Sequence, residues 1–145
     1  MIISVNGRVL IESFEGLSLS AYQDQRGIWT IGYGHTGDVQ PSDVCTAQEA
    51  DNILSSDLTT AETIVTKYVK PVLNQNQFDA LVSLTFNIGG RNFLESTVLK
   101  KLNLTDDYKG AAGAIMMWNK VGDKVNSGLE KRRKAEQTLF LTVPL

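Results

Sequence analysis

The most regular pattern of apolar residues in this chain lies between positions 46 and 69. Apolar side chains recur there three and four residues apart, the spacing of one face of an α-helix. Thr46 followed by Glu49 is typical of a capping box, and Pro71 cannot continue a helix. The pattern predicts one long helix, roughly Thr46 to Val69, with an inner face formed by Ala50, Ile53, Leu54, Leu58, Ala61, Ile64, Val65 and Tyr68.

Shorter helical patterns lie on both sides of this segment. Residues 6–15 form one, with Asn6 as the predicted N-cap and Glu15 at the end. Asn74 or Asn76 is expected to start another, which Gly89 and Gly90 end. Further helices are predicted at about 96–102, 106–118 and 129–140. The helix at 106–118 is rich in glycine and alanine, so we expect the others to pack around it.

Residues 15–35 have a different pattern. Positions 28–33 are mostly β-branched or aromatic, and Gly27, Gly32 and Gly34 interrupt them. This is typical of a small twisted β-hairpin whose turn, DQRG, begins at Asp24. The chain therefore predicts an α+β fold in one domain, residues 1–145. We expect the long helix to join two lobes. One is a small sheet lobe at about 15–45, and the other is a helical lobe at about 70–145 that includes the N-terminal helix.

Composition places the chain in an ordinary class. Its 145 residues, 42% hydrophobic and 21% charged, suit a single globular domain with its own core. Cys45 is the only cysteine, which excludes an internal disulfide and suits a buried, inert thiol. The start, MIISVNGRV, has neither the charge nor the apolar length of a secretory signal. We expect a monomer made in the cytoplasm, without stable membrane insertion.

Charge is uneven along the chain. Residues 1–99 carry a net charge of −6 and residues 100–145 a net charge of +4, including the run from Lys131 to Lys134. Nucleic-acid binding is one interpretation of such a run, but no interleaved aromatic residues accompany it. A solvated helix face is the interpretation that we adopt, with no nucleic-acid partner. A single histidine and a single cysteine leave no metal site, and no cofactor motif is present.

Three side chains around the hairpin suit cleavage of a glycosidic bond. That reaction needs one carboxyl group that donates a proton to the leaving oxygen and a second that is ionised. Glu15 at a helix end and Asp24 on the hairpin turn could fill these roles, and the Thr30 hydroxyl could hold a water molecule. Two carboxylates alone are a weak signal, because both residue types are common on protein surfaces.

A longer stretch makes the signal specific. FEGLSLSAYQDQRGIWTIGYGHT resembles the active-site segment of the phage-type lysozymes, the endolysin muramidases. The resemblance continues, in the order of the family, in FNIGGRNFLESTVLKKLN, DYKGAAGAIMMWNK and GLEKRRKAEQTLF. It implies a lysozyme-like fold with a cleft between the lobes and hydrolysis of peptidoglycan between N-acetylmuramic acid and N-acetylglucosamine. By this resemblance Glu15 is the proton donor, Asp24 activates water and Thr30 orients it.

The resemblance also implies supporting residues. Arg132, in preference to Arg133, would reach the catalytic glutamate, and Arg133 is expected to be solvated. His35 either pairs with Asp57 or only caps the hairpin. Asn87 either faces the cleft or caps its helix. Trp118 is expected in the core, with sugar stacking as the alternative, and Trp29 is open between packing and the cleft.

Two other functions remain possible from the sequence. A lytic transglycosylase would act on the same substrate without needing a water-holding Asp24 and Thr30, and a non-catalytic wall-binding scaffold domain would need none of the three residues. Related enzymes invert the anomeric centre, so inversion is expected. A protein made in the cytoplasm acts on the wall only after release, for which a separate pore-forming protein is the expected partner.

Overall fold

The computed structural model describes residues 1–145, which form seven helices and four strands. In chain order they are α1 (Val5–Glu15), β1 (Ser18–Gln23), β2 (Trp29–Gly32), α2 (Ala47–Tyr68), α3 (Gln75–Ile88), α4 (Gly90–Leu94), α5 (Thr97–Thr105), α6 (Tyr108–Ile115), β3 (Lys120–Val121), β4 (Lys124–Val125) and α7 (Ser127–Leu141). The α+β class predicted from the sequence is confirmed.

Helix α1 begins earlier than the sequence predicts. Asn6 lies inside the helix, so its assignment as the N-cap was wrong. Ser4 precedes the first helical residue, and its Oγ accepts a hydrogen bond from the backbone N–H of Gly7 at 3.3 Å. The buried Asp79 carboxylate accepts hydrogen bonds from the Ser4 backbone N–H, at 3.0 Å, and from the Ser4 hydroxyl. A distant residue of α3 therefore selects the start of α1.

The long helix α2 matches its prediction closely. The Thr46 hydroxyl accepts from the backbone N–H of Glu49, and the Glu49 carboxylate accepts from the N–H of Thr46, both at 3.0 Å. This reciprocal pair is the predicted capping box. Five of the eight predicted inner positions are buried: Ala50, Leu54, Leu58, Ala61 and Val65.

Local capping also starts the later helices. Asn74, and not Asn76, caps α3 in a capping box with Gln77, and Gly89 ends the helix with a φ of +90°. Ser96, Asp107 and Asn126 cap α5, α6 and α7. The unbroken buried run at residues 78–85 makes α3 the most deeply buried helix, in place of the predicted α6. Gly90, predicted to end α3 together with Gly89, is instead the first residue of α4. Helix α4 has five residues and strands β3 and β4 have two each, too few for a sequence pattern to predict them.

The chain divides into two compact units. The first contains Met1–Leu10 and Ala61–Leu145, and the second contains Ile11–Thr60. In the first unit α3 packs on α7 and on α4, and α6 packs on α5 and α7. Its core includes Phe78, Leu81, Leu84, Phe93, Leu102, Ile115 and Phe140. None of the helices is long and apolar enough to cross a membrane.

The second unit is built around the β1–β2 hairpin. The two strands are antiparallel, with Tyr22 opposite Thr30 and Gln23 opposite Trp29. The register is irregular between Ser18 and Tyr22. Its buried apolar side chains are Ile11, Ile31, Ala50, Leu54 and Leu58.

Candidate active site

Glu15 is the last residue of α1, and its side chain is only partly exposed. The chain turns sharply after it at Gly16, which has a φ of +70°. The backbone of Gly34, beyond the end of β2, passes close to the Glu15 carboxyl group. A methyl group placed on Gly34 would lie 3.1 Å from Oε1 of Glu15. The sequence predicts Gly34 within the hairpin, but no sequence pattern indicates its contact with Glu15.

Asp24 opens the turn between β1 and β2, and the turn itself binds its carboxylate. Oδ1 accepts hydrogen bonds from the backbone N–H groups of Arg26 at 2.8 Å and Ile28 at 2.9 Å. The Arg26 guanidinium lies 3.6 Å from Oδ2. The hydrogen bond from Ile28 lowers the pKa of Asp24, and Arg26 acts in the same direction. The carboxylate is therefore ionised at neutral pH, with Oδ2 less engaged than Oδ1.

Thr30 lies on β2 and is 3% exposed. Its hydroxyl donates a hydrogen bond to the carbonyl oxygen of Ile28 at 2.9 Å. A hydroxyl group has one hydrogen to donate and two lone pairs that accept. Because the Ile28 carbonyl takes the hydrogen, the Thr30 oxygen is oriented as an acceptor. Glu15, Asp24 and Thr30 all belong to the second compact unit.

His35 and Asp57 form the predicted pair, within the same unit. Nδ1 of His35 lies 2.8 Å from Oδ2 of Asp57, and Nε2 lies 2.9 Å from the carbonyl oxygen of Gly37. Both side chains of the pair are 26% exposed. The pair links the end of the hairpin to α2.

Arg132 and Arg133 are both buried, so the prediction that Arg133 is solvated was wrong. Nε of Arg133 lies 2.6 Å from Oε1 of Glu136, and Nε of Arg132 lies 3.4 Å from Oε2. The Ser83 hydroxyl donates to Oε2 at 2.6 Å, and Nη2 of Arg132 donates to the Ser83 carbonyl oxygen at 3.4 Å. Burial raises the pKa of Glu136, and the two guanidinium groups oppose that rise.

Glu136 and Ser83 were missed by the sequence analysis. The spacing of Glu136, three residues after Arg133 and four after Arg132, matches helical ion pairs and could have identified it. Nothing local marks Ser83, because it comes from α3.

The other residues singled out in the sequence, Asn87, Cys45 and the two tryptophans, are less buried than Arg132 and Arg133. Asn87 is exposed near the end of α3, and Gly89 is the C-cap in its place. Cys45 is only partly buried, with Sγ 4.0 Å from the Ser18 carbonyl oxygen, so the prediction of a buried thiol was wrong. Trp29 and Trp118 are both partly exposed. No group of three histidine, cysteine, aspartate or glutamate side chains could hold a metal ion.

Comparison with known proteins identifies the class to which this fold belongs. The Asticaccaulis excentricus SpmX muramidase domain superposes with a TM-score of 0.90 and 42% sequence identity, over 97% of this chain and 98% of that one. The fold is therefore that of the lysozymes. An endolysin of Acyrthosiphon pisum secondary endosymbiont phage 1 is 47% identical, covering 97% of this chain and 98% of the relative. An endolysin of Salmonella phage P22 is 45% identical, covering 98% and 99%.

The family model for phage lysozyme matches residues 12–136. The chain belongs to the phage lysozyme family, and it is a lysozyme that hydrolyses peptidoglycan. This agrees with the function that the sequence predicted.

Proposed function

We propose that this lysozyme cleaves the β-1,4 bond between N-acetylmuramic acid and N-acetylglucosamine with Glu15 as the proton donor, Asp24 as the residue that activates water and Thr30 as the residue that orients it. The contrast between the environments of the two carboxyl groups supports this assignment. Asp24 is held ionised by backbone N–H groups on the hairpin turn. Glu15 ends a helix and lies against the backbone of Gly34. Acid and base catalysis requires such a pair.

The hydrogen bonds of Asp24 and Thr30 carry the proposal. With Oδ1 of Asp24 bound by two backbone N–H groups, Oδ2 is the oxygen that accepts a proton from water. The Thr30 oxygen accepts the other hydrogen of the same water, because its own hydrogen is donated to Ile28. A water molecule held in this way points a lone pair toward the anomeric carbon. General base assistance of this kind contributes on the order of 10² to 10⁴ in rate.

A water molecule that attacks directly leads to inversion at the anomeric centre. The proton moves from Glu15 to the leaving sugar oxygen, while the attacking water loses a proton to Asp24. The glycosidic carbon–oxygen bond breaks as the new carbon–oxygen bond forms, so atoms and charge balance. NMR of the first product formed would give the anomeric configuration, and retention would contradict the role of Asp24.

Asn87, Arg132 and His35 complete the proposed set as supporting residues. Arg132 is held in place by Glu136 and by the Ser83 carbonyl group. We propose that Arg132 supports the reaction from this buried network and that Asn87 contacts the glycan. His35 supports the hairpin through Asp57. Asn87→Ala should raise KM with little change in kcat, since it removes binding that substrate and transition state share.

Access to the substrate is a separate part of the proposal. The relatives named above include phage endolysins. Peptidoglycan lies outside the cell membrane, so an enzyme made in the cytoplasm has to pass that membrane to reach it. We propose that a separate pore-forming protein releases the enzyme. Expression in a bacterium with and without a co-expressed phage pore protein tests this. Equal lysis in both cultures would contradict it.

Product mass tests the reaction itself. Purified peptidoglycan is incubated with the enzyme and the soluble fragments are weighed by mass spectrometry. Hydrolysis adds one water per cleaved bond and leaves a reducing end. A transglycosylase reaction closes an anhydro ring and adds no water. Anhydro products alone would overturn the proposed roles of Asp24 and Thr30.

A further inference from the structure

Gly34 lies where the chain leaves β2 and it has a φ of +78°. Glycine is favoured at such a φ, but the conformation alone explains only part of this position. An added Cβ would lie 3.1 Å from Oε1, 3.5 Å from Cδ and 3.8 Å from Oε2 of Glu15. All three nearest atoms therefore belong to a single carboxyl group.

We propose that Gly34 is a positioning residue for the Glu15 carboxyl group: its missing side chain leaves the space that the proton donor occupies. The inference rests on the proposed role of Glu15. Nothing in the sequence separates Gly34 from the neighbouring Gly27 and Gly32, which share its positive φ. Gly34 differs from these two glycines in the Glu15 carboxyl group that packs against it.

Contacts on both sides of Gly34 fix the backbone there, so the backbone cannot easily move away from a larger side chain at this position. Ile31 and His35 exchange two backbone hydrogen bonds, both 2.9 Å long, across the turn that contains Gly34. His35 is tied to Asp57 on α2. Gly32 is packed against Ala50 of the same helix, where an added Cβ would lie 3.4 Å from the Ala50 Cβ. A methyl group on residue 34 would therefore displace the flexible end of Glu15 and not the turn.

Displacement of a proton donor lowers the rate more than it lowers binding. General acid catalysis requires the carboxyl oxygen within hydrogen-bond reach of the leaving oxygen, at roughly 2.6–3.2 Å. A misplacement on the order of 1 Å can reduce the rate about 100-fold. The 3.1 Å contact is relieved when the Glu15 carboxyl group moves by a few tenths of an ångström. We therefore expect Gly34→Ala to lower kcat about tenfold. KM should stay within about twofold.

Gly122→Ala is the matched control. Gly122 also has a positive φ, +62°, and an added Cβ there would meet no atom within 4 Å. It lies in the turn between β3 and β4, in the other compact unit. Both substitutions strain the backbone in the same way, but only Gly34→Ala crowds a carboxyl group. Equal kcat values for Gly34→Ala, Gly122→Ala and wild type, measured on soluble glycan fragments, would overturn the proposal.

A stability comparison gives a readout that does not depend on activity. The thermal midpoint is measured for Gly34→Ala in the wild-type and in the Glu15→Ala background, where the carboxyl group is absent. We expect Gly34→Ala to lower the midpoint less in the Glu15→Ala background, by about the amount that Gly122→Ala lowers it. Folding of Gly34→Ala only in that background would also support the proposal. An equal loss in both backgrounds, or failure to fold in both, would overturn it.

Glu15→Gln, assayed in parallel, separates this inference from the proposed function. Full activity of Glu15→Gln would overturn the role of Glu15 and the inference with it. Loss of activity in Glu15→Gln together with normal activity in Gly34→Ala would overturn the inference alone.

Discussion

The His35 imidazole ring is held between two hydrogen-bond acceptors: Nδ1 lies 2.8 Å from Oδ2 of Asp57, and Nε2 lies 2.9 Å from the carbonyl oxygen of Gly37. A carboxylate and a carbonyl oxygen have no hydrogen to donate. Each ring nitrogen therefore faces an oxygen acceptor, and the side chain is held through both nitrogens. Because Asp57 lies on α2, its contact with His35 links the end of the hairpin to that helix.

Removing either partner of this link should destabilise the protein. We expect His35→Asn and Asp57→Asn each to lower the free energy of unfolding by about 1.5–3 kcal/mol, as for hydrogen bonds to charged groups. The double variant should lose less than the sum of the two. Chemical denaturation of the four proteins measures the coupling, and a value below about 0.5 kcal/mol would indicate no specific pair.

Glu15→Gln preserves the shape of the side chain but cannot donate the proton. We expect the rate of peptidoglycan hydrolysis to fall on the order of 10²- to 10⁴-fold, since this is the usual contribution of a general acid. Sedimentation with insoluble peptidoglycan should show unchanged binding. Glu95→Gln, at an exposed side chain outside the site, is the control and should retain full activity. Wild-type clearing by Glu15→Gln would remove Glu15 from the mechanism.

Asp24 and Thr30 should respond differently to substitution. Thr30→Glu places a carboxylate where the proposed water lies, so the sugar should become attached to the protein and turnover should stall. Asp24→Asn should slow turnover without trapping a sugar, because it only weakens activation of the water. Intact-protein mass after exposure to wall fragments distinguishes the two outcomes. Rapid normal hydrolysis by Thr30→Glu would mean that the water binds elsewhere.

The lowered pKa of Asp24 predicts a dependence of stability on acid pH. The folded state favours the ionised carboxylate, chiefly through the Ile28 hydrogen bond. Its contribution is therefore fully present above the ordinary aspartate pKa of about 3.9. It is lost as pH falls through the lower folded value. The difference in thermal midpoint between wild type and Asp24→Asn should shrink as the pH falls below about 3.9. Asp123→Asn, on the exposed β3–β4 turn, should not reproduce this trend.

Two apolar residues of α2 should differ in their effect on stability. Leu58 is 1% exposed, so Leu58→Ala should lower the free energy of unfolding by about 2–5 kcal/mol. Ile53 belongs to the same predicted stripe but is only partly buried, so Ile53→Ala should cost less. Urea denaturation of both variants measures the difference. Equal losses would show that burial at the two positions is similar in solution.

Local chemistry explains why so much could be predicted. The capping boxes at Thr46 and Asn74 are satisfied by residues three positions away, so a short stretch of sequence contains the whole interaction. Asp24 forms its turn in the same way, with donors two and four residues later. The hairpin, the main helices and the order of Glu15, Asp24 and Thr30 follow from such signals and from the family resemblance.

Sequence patterns and the family resemblance were sufficient to predict the α+β class, the length of α2 and the residues proposed for catalysis. The folded chain shows that Arg133 is buried against Glu136 and that Asp79 binds the start of α1. Neither could be predicted, because each contact needs burial or a partner far along the chain. The tertiary structure also decided the contact between Gly34 and Glu15, nineteen positions apart. A glycine has no side chain whose chemistry could indicate a partner, so its closest neighbour is known only once the chain has folded.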